Sequence, residues 1–179
     1  NLPLVNALQK LGCQIDSSDG HLPLAVHRPI QQTGSVSIDG SLSSQYITAL
    51  LLISCGVAGD QAFFEKITIE GQLVSKPYID ITITEMSKRG VSARWEGTRS
   101  ISIDTTRSYE ASHITIEGDA TAASYAASLA CIHRGQVKFT NLGSNTRQGD
   151  YRFFEVLERL GAEVTRDQTS TLIRGPSQL

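Results

Sequence analysis

Hydroxyl and amide side chains cluster where a glycine is followed by an apolar stretch. Ser41, Ser43, Ser44 and Gln45 all lie within five residues of Gly40. Glycine permits a tight turn, serine is a good N-cap, and the free N–H groups of a helix's first turn attract anions. With Ser41 as the N-cap, the other hydroxyls are available to a phosphate. The same spacing also suits serines that only cap the helix, so the pattern alone leaves both interpretations open.

A second polar cluster consists of Ser75 and Tyr78, on either side of Lys76 and Pro77. Proline is favoured in the first turn of a helix, and Gly90 offers a stop about three turns later. We therefore predict a helix between them, although the intervening isoleucines alternate as they would in a strand. From the local pattern alone, Ser75 is expected to cap this helix and Tyr78 to be a core ring with an exposed hydroxyl. Lys76 opposes the helix dipole and could help to hold an anion, but a solvated lysine is the preferred interpretation.

The composition excludes several other kinds of site. Sixteen basic and 18 acidic residues give a net charge of −2 without a basic run, so no nucleic-acid partner is expected. The histidines and the three cysteines lack metal-ligand spacing, so no metal is expected. The longest apolar stretch, residues 47–53, is far shorter than the ~20 residues of a membrane span, and no signal segment is expected. These features favour a soluble protein of the reducing cytoplasm.

Hydrophobic periodicity and turn residues divide the chain into alternating helices and strands. Helices are predicted at residues 5–12, 47–53 and 77–90, after residue 119, and around residues 153–157. Strands are predicted at residues 13–15, 22–26, 35–39, 67–69, 91–95 and 100–103. Turns are predicted at residues 16–20 and 96–97, and residues 55–60 are expected to end the central helix.

Part of this pattern repeats at an interval of 78 residues. IDGS at residues 38–41 recurs as IEGD at 116–119, and LGC at 11–13 recurs as RGV at 89–91. A third such glycine stop follows at residues 160–164. A supersecondary unit used repeatedly predicts an α/β (α+β) fold, with helices packed behind mixed sheets. In the second copy Asp119 stands at the helix start, where it would satisfy N–H groups and repel a phosphate, so that copy is expected to be structural.

Three motifs together resemble the 5-enolpyruvylshikimate-3-phosphate synthase family in order and spacing. They are SLSSQY at residues 41–46, LVSKPYID at 73–80, and EGD followed by ASY at 117–125. The resemblance covers essentially the whole chain but only a middle portion of the family's enzyme. It implies two lobes, each built from three βαβαββ units. Residues 1–112 would then be part of the shikimate 3-phosphate-binding lobe, and residues 113–179 one repeat unit of the second lobe.

The resemblance also implies an activity and its ligands. Family members transfer the enolpyruvyl group of phosphoenolpyruvate to the 5-hydroxyl of shikimate 3-phosphate and release phosphate. They use no metal or organic cofactor, and the reaction belongs to the shikimate pathway of aromatic amino acid biosynthesis. Ser43 and Ser44 match the family's contacts to the shikimate phosphate, and Gln45 matches the glutamine that lies between both substrates. Ser75 and Tyr78 match further contacts to shikimate 3-phosphate.

No catalytic residue is expected within this chain. The family's glycine-rich phosphoenolpyruvate loop and its proton-transfer carboxylates have no counterpart in the 179 residues. The chain alone is therefore expected to be inactive, with the rest of the same enzyme as its partner. Two alternatives stay open: a UDP-N-acetylglucosamine enolpyruvyl transferase, and a non-catalytic α/β repeat module that binds a partner chain. Replacing Ser43 and Ser44 by alanine should cost about 2–4 kcal/mol of binding, with little loss of stability because Ser41 would still cap the helix.

Overall fold

A computed structural model describes residues 1–31, 34–55 and 63–178. It divides the chain into two compact units, Asn1–Ser112 and His113–Leu179. The elements of the first unit are α1 (Leu2–Lys10), β1 (Gln14–Ser18), β2 (His21–Arg28), β3 (Ser35–Asp39), α2 (Ser44–Ile53), β4 (Lys66–Glu70), α3 (Lys76–Ser87), β5 (Ala93–Glu96) and β6 (Ser100–Ile103). Those of the second unit are α4 (Ala120–Ile132), β7 (Gln136–Phe139), a 3₁₀ helix (Gly149–Arg152), α5 (Phe153–Arg159), β8 (Glu163–Arg166) and β9 (Thr171–Arg174).

The first unit is built on a four-stranded mixed sheet in the order β3-β4-β6-β5. β3 and β4 run parallel, whereas β6 is antiparallel to both β4 and β5. Alternate residues of the parallel strands are buried in one hydrophobic cluster with α1, α2 and α3: Val36, Ile38, Ile67 and Ile69. The sheet thus has a buried face on which the helices pack. The order β3-α2-β4-α3-β5-β6 is a complete βαβαββ unit, and the predicted fold class is confirmed.

The segment before this unit consists of α1 and a two-stranded hairpin. Gly12 ends α1 as predicted, with a φ of +81° and its N–H bonded to the carbonyl of Gln9 at 2.9 Å. The turn predicted at residues 16–20 is shorter than expected, because residues 16–18 continue β1. Asp19 and Gly20, both with positive φ, make a two-residue turn. Such a turn matches the twist of the paired strands.

The helix predicted from Pro77 is confirmed as α3. Ile79 and Met86, seven residues apart on one helical face, are both buried in the core. Gly90, with a φ of +88°, follows the helix, and the N–H of Val91 bonds the carbonyl of Met86 at 3.1 Å. The start and stop signals therefore outweigh the alternating isoleucines. The stop predicted for α2 lies, apart from Cys55, outside the described residues.

The second unit differs from the first at the position of the first strand. Its sheet has the order β7-β9-β8, all antiparallel, with α4 and α5 contributing to the same core. Residues 113–117 correspond to β3 by the 78-residue interval, but they form no strand. Ile114 and Ile116 are 48% and 77% exposed, whereas Val36 and Ile38 at the corresponding positions are 3% and 2% exposed. The repeat therefore recurs in its glycine turn and helix but not in its first strand.

The cysteines are part of the packing. Cys13, Cys55 and Cys131 are buried free thiols, and burial raises the pKa of each. None of the helices in the described ranges combines the length and the apolar character needed to cross a bilayer.

Tyr109 packs against the core of the first unit, and its Oη is buried without a hydrogen-bond partner among the described residues. Burial, with a smaller contribution from Cys55, raises the pKa of this phenol from 10 to about 12. The folded state therefore favours the protonated phenol, whose contribution to stability is complete below pH 10 and is lost as the pH rises through 12. We predict that Tyr109→Phe leaves the free energy of unfolding at pH 7 unchanged or higher and reduces the loss of stability between pH 10 and 12.

Urea denaturation of both proteins at pH 7 and pH 11 measures these differences. Tyr78→Phe, which changes a half-exposed phenol of the same unit, is the matched control. A loss of more than about 1 kcal/mol at pH 7 in Tyr109→Phe would mean that the hydroxyl makes a stabilising hydrogen bond, contrary to the prediction.

Candidate functional site

The N-cap of α2 is Ser43, so the prediction of Ser41 as the N-cap is wrong. Ser43 has an extended backbone, and its Oγ accepts the N–H of Gln45 at 3.2 Å. Ser41 is held in the preceding turn, where its N–H bonds Oδ1 of Asp39 at 2.9 Å. Hydrogen bonds from Ser41 also lower the pKa of the Asp39 carboxyl. This carboxylate at the end of β3 keeps Ser41 in the turn, and the helix begins further along the chain.

Capping leaves Ser43 with a proton to donate. A hydroxyl accepts through two lone pairs and donates once, and the cap uses only one acceptor position. Ser44, in the first helical position, is 5% exposed, and Gln45 is exposed. Neither side chain has a hydrogen-bond partner among the described residues. The start of α2 therefore presents two hydroxyls and an amide that can still donate to a ligand.

Ser75 is at the N-cap position of α3, but its side chain does not cap the helix. Its backbone is left-handed, with φ 55° and ψ 42°, a conformation that costs a residue with a Cβ about 1–2 kcal/mol. Tyr78 is 50% exposed, so the expectation of a core ring is wrong. Within the described part of the chain, neither hydroxyl has a hydrogen-bond partner. Strained backbone of this kind is frequent at ligand sites.

Parallel pairing of β3 with β4 brings the two helix starts to one edge of the sheet, because each helix follows the carboxyl end of its strand. Gly40 links them: its N–H bonds the carbonyl of Glu70 at 3.0 Å, and its carbonyl accepts the N–H of Val74 at 3.2 Å. A Cβ at Gly40 would lie 2.7 Å from Cγ2 of Ile69, so a side chain has no room here. The predicted site residues on this edge are Ser43, Ser44, Gln45, Ser75 and Tyr78.

Lys76 is paired rather than solvated alone. Its Nζ lies 2.9 Å from each carboxylate oxygen of Asp80, and Asp80 also accepts the indole N–H of Trp95 at 2.7 Å. Sequence reasoning assigned no role at the site to Asp80 or Trp95. The bond between them joins α3 to β5 across 15 positions of sequence, and no local spacing signals such a contact.

At the corresponding helix start of the second unit, side chains of that unit accept the backbone N–H groups. Asp119 caps α4, as predicted, and accepts the N–H groups of Thr121 and Ala122 at 2.8 and 3.2 Å. Gln148, immediately before the 3₁₀ helix, accepts the N–H of Ala120 at 2.8 Å and donates to the carbonyl of Gly118 at 2.7 Å. In the second unit, the N–H groups at this helix start are therefore hydrogen-bonded to side chains of the same unit. At the corresponding helix start of the first unit, side-chain donors are available to a ligand.

A cavity of about 550 Å³ lies elsewhere, within the second unit. Its lining includes Arg152, Arg159, Asp150 and Glu155 but none of the five predicted site residues. The mixture of charges favours no particular ligand, so the helix starts of the first unit remain the better candidate site. In the described ranges, no three His, Cys, Asp or Glu side chains form a group that could hold a metal ion.

The matching family model and the curated relatives agree on one family. The family model described as EPSP synthase (3-phosphoshikimate 1-carboxyvinyltransferase) matches residues 2–179. A 3-phosphoshikimate 1-carboxyvinyltransferase from Vibrio vulnificus (strain YJ016) is 40% identical over 164 residues, which cover 90% of this chain and 37% of that protein. The chain thus spans less than half the length of this curated relative.

Two solved structures share the fold. EPSP synthase from Acinetobacter baumannii matches with a TM-score of 0.65 and 18% identity, covering 98% of this chain and 40% of that chain. The enolpyruvyl transferase NikO from Streptomyces tendae matches with a TM-score of 0.61 and 15% identity, covering 97% of this chain and 42% of that chain. At these identities the similarity supports the architecture alone.

The corrected N-cap changes the expected effect of substitutions on stability. We predict that Ser43→Ala lowers the free energy of unfolding by about 1 kcal/mol, because it removes the cap. Ser41→Ala should change it by less than about 0.5 kcal/mol, since the backbone N–H of Ser41 keeps its bond to Asp39 when the exposed hydroxyl is removed. Ser43→Asp should keep the wild-type stability, because aspartate caps as well as serine.

Guanidinium denaturation of the three variants, with m-values compared, measures these differences. A larger loss in Ser41→Ala than in Ser43→Ala would contradict Ser43 as the N-cap.

Proposed function

The chain belongs to the EPSP synthase family, and from this premise we propose that it supplies the shikimate 3-phosphate side of an enzyme that transfers an enolpyruvyl group from phosphoenolpyruvate. Because the chain spans only part of its relatives, the activity belongs to the assembled enzyme. The first unit would be part of the shikimate 3-phosphate-binding lobe, and the second unit one repeat of the other lobe. The cytoplasm is the expected location.

The observation that carries this proposal is the difference between the two repeats. The second repeat closes its helix start with Asp119 and Gln148. In the first repeat, the side chains at the equivalent helix start have donors that find no partner among the residues that the structure describes. The helix start is capped by side chains of the same unit in the second repeat, whereas in the first repeat polar side chains can still donate. This difference supports a ligand site at the helix start of the first repeat.

The proposed roles follow from the chemistry of each side chain. Ser43 and Ser44 donate hydroxyl protons to the phosphate of shikimate 3-phosphate, at a helix start whose dipole also favours negative charge. Gln45, with both a donor and an acceptor, lies between the two substrates. Ser75 and Tyr78 donate to the same shikimate 3-phosphate molecule from the start of α3. Together these groups bind and orient the ligand.

None of these side chains performs the chemistry. An addition–elimination at phosphoenolpyruvate needs a proton delivered to carbon and later removed, together with cationic groups around the phosphate. Serine and glutamine do not supply either. We therefore assign those steps to parts of the enzyme beyond these 179 residues. The alternative substrate, a UDP-sugar, has no observation in its favour, and the curated relatives carry the name of the shikimate enzyme.

We predict that Ser43→Asp and Ser44→Ala weaken shikimate 3-phosphate binding by different mechanisms. Ser43→Asp preserves the cap but adds a negative charge, so binding should weaken by about 2–4 kcal/mol. Ser44→Ala removes one donor to a charged group and should cost about 1.5–3 kcal/mol. Calorimetric titration with shikimate 3-phosphate measures both losses, and UDP-N-acetylglucosamine is titrated in parallel.

Ser41→Ala is the matched control, because it removes a nearby hydroxyl that neither caps the helix nor is assigned to the ligand. Wild-type affinity in both Ser43→Asp and Ser44→Ala would mean that Ser43 only caps the helix and that Ser44 does not contact the ligand. Preferential binding of the UDP-sugar would overturn the substrate assignment.

We also predict no measurable turnover by the 179-residue chain alone. The residues that bind phosphoenolpyruvate and transfer protons are assigned to other parts of the enzyme, so neither substrate activation nor proton transfer is available. Phosphate release from phosphoenolpyruvate and shikimate 3-phosphate is measured first with the chain alone, and then with the remaining segments of a family member supplied in trans. Turnover by the chain alone would refute the prediction.

A further inference from the structure

Lys76 is the residue directly after Ser75 and the first residue of α3. Its Nζ contacts both oxygens of Asp80 at 2.9 Å and lies 4.6 Å from the centroid of the Trp95 ring. The indole N–H of Trp95 donates to Oδ1 of Asp80 at 2.7 Å. We call these three side chains the lysine clamp. It joins the first turns of α3 to β5.

The clamp offsets the unfavourable interaction that the Lys76 cation would otherwise have with the dipole of α3. A cation at a helix N-terminus is unfavourable with the helix dipole, and an exposed pair of Lys and Asp four residues apart is weak by itself. Here the same carboxylate also accepts the indole N–H, and the aromatic face receives the ammonium. Lys76 is therefore held against Asp80 and Trp95, and its charge is matched by a carboxylate.

We propose that Asp80 and Trp95 are specificity-determining residues that sequester Lys76, so that the adjacent site recognises its ligand through neutral donors. This inference rests on the proposed function. Hydroxyl and amide donors bind a bare phosphate weakly, and tight binding then needs the additional contacts that only a phosphorylated polyol makes. A free lysine beside the same helix starts would attract any phosphate dianion by charge alone. The proposed reaction releases inorganic phosphate, so a site with low affinity for that ion limits inhibition by the product.

The chain contains a matched control for the clamp. Lys66 and Glu96 form an ion pair at 3.0 Å, and Glu96 is next to Trp95 on β5. The side chains of this pair are 43% and 40% exposed, close to the 50% and 40% of Lys76 and Asp80. The pair joins β4 to β5 and is not assigned to the site. Glu96→Gln therefore releases a lysine of similar exposure without releasing one at the helix start.

The experiment compares affinities for inorganic phosphate and for shikimate 3-phosphate by calorimetric titration at low and high ionic strength. Asp80→Asn keeps an oxygen for the indole N–H but frees Lys76, and we expect it to bind inorganic phosphate about five- to tenfold more tightly at low salt. The gain should disappear at high salt and in the double variant Asp80→Asn with Lys76→Met. Trp95→Phe should give a smaller gain of about two- to threefold, because the carboxylate remains. Glu96→Gln should leave both affinities at the wild-type value.

The outcomes separate the two proposals. Wild-type phosphate affinity in Asp80→Asn, with shikimate 3-phosphate still bound, overturns the inference alone. A gain that persists in the double variant also overturns it, because the effect would then not come from Lys76. If neither the wild type nor any variant binds shikimate 3-phosphate, the proposed function is wrong, and the inference that rests on it is wrong as well. Circular dichroism of each variant checks that the fold is retained.

Discussion

The parallel pairing of β3 with β4 is the interaction on which the candidate site depends. Parallel strands end at the same edge of a sheet, so the helices that follow them start side by side. Gly40 fixes this arrangement through one backbone bond to Glu70 and one to Val74. The contact between Gly40 and Ile69 leaves no space for a Cβ. Because of these constraints, residues some thirty positions apart in the sequence present their polar groups at one edge.

The glycine turn and the helix start recur in the second unit, but with different side-chain chemistry. There an aspartate accepts two N–H groups of the helix start, and a glutamine bridges the glycine turn and the first helical residue. In the first unit a serine takes the capping position and accepts only one N–H. The fold is therefore compatible with a closed and an open helix start, and side-chain chemistry decides between them.

Capping and ligand binding are not exclusive at Ser43. An aspartate cap is an acceptor only, whereas a serine cap accepts from the backbone and still has a proton to donate. Ser75 shows the complementary arrangement: it stands at the N-cap position in a left-handed conformation and makes no capping bond. A side chain therefore accepts a backbone N–H at the start of α2 but not at the start of α3. Both helix starts nevertheless have a serine hydroxyl that can donate to a ligand. The neighbouring Lys76 is paired with the carboxylate of Asp80, which also accepts the indole N–H of Trp95.

Local signals in the sequence determined the repeated unit and the strand and helix types: the glycine stops at Gly12 and Gly90, the proline start at Pro77, and the apolar alternation of β3 and β4. These signals act over a few residues, so they can be recognised in the sequence without the tertiary structure. The tertiary structure decided the N-cap, because the Asp39 carboxylate holds Ser41 in the turn. It also decided the left-handed Ser75, the Lys76, Asp80 and Trp95 contacts, and the missing strand at residues 113–117. The physical reason is that these features depend on which distant groups satisfy a hydrogen bond or cover an apolar side chain, and the local pattern does not contain that information.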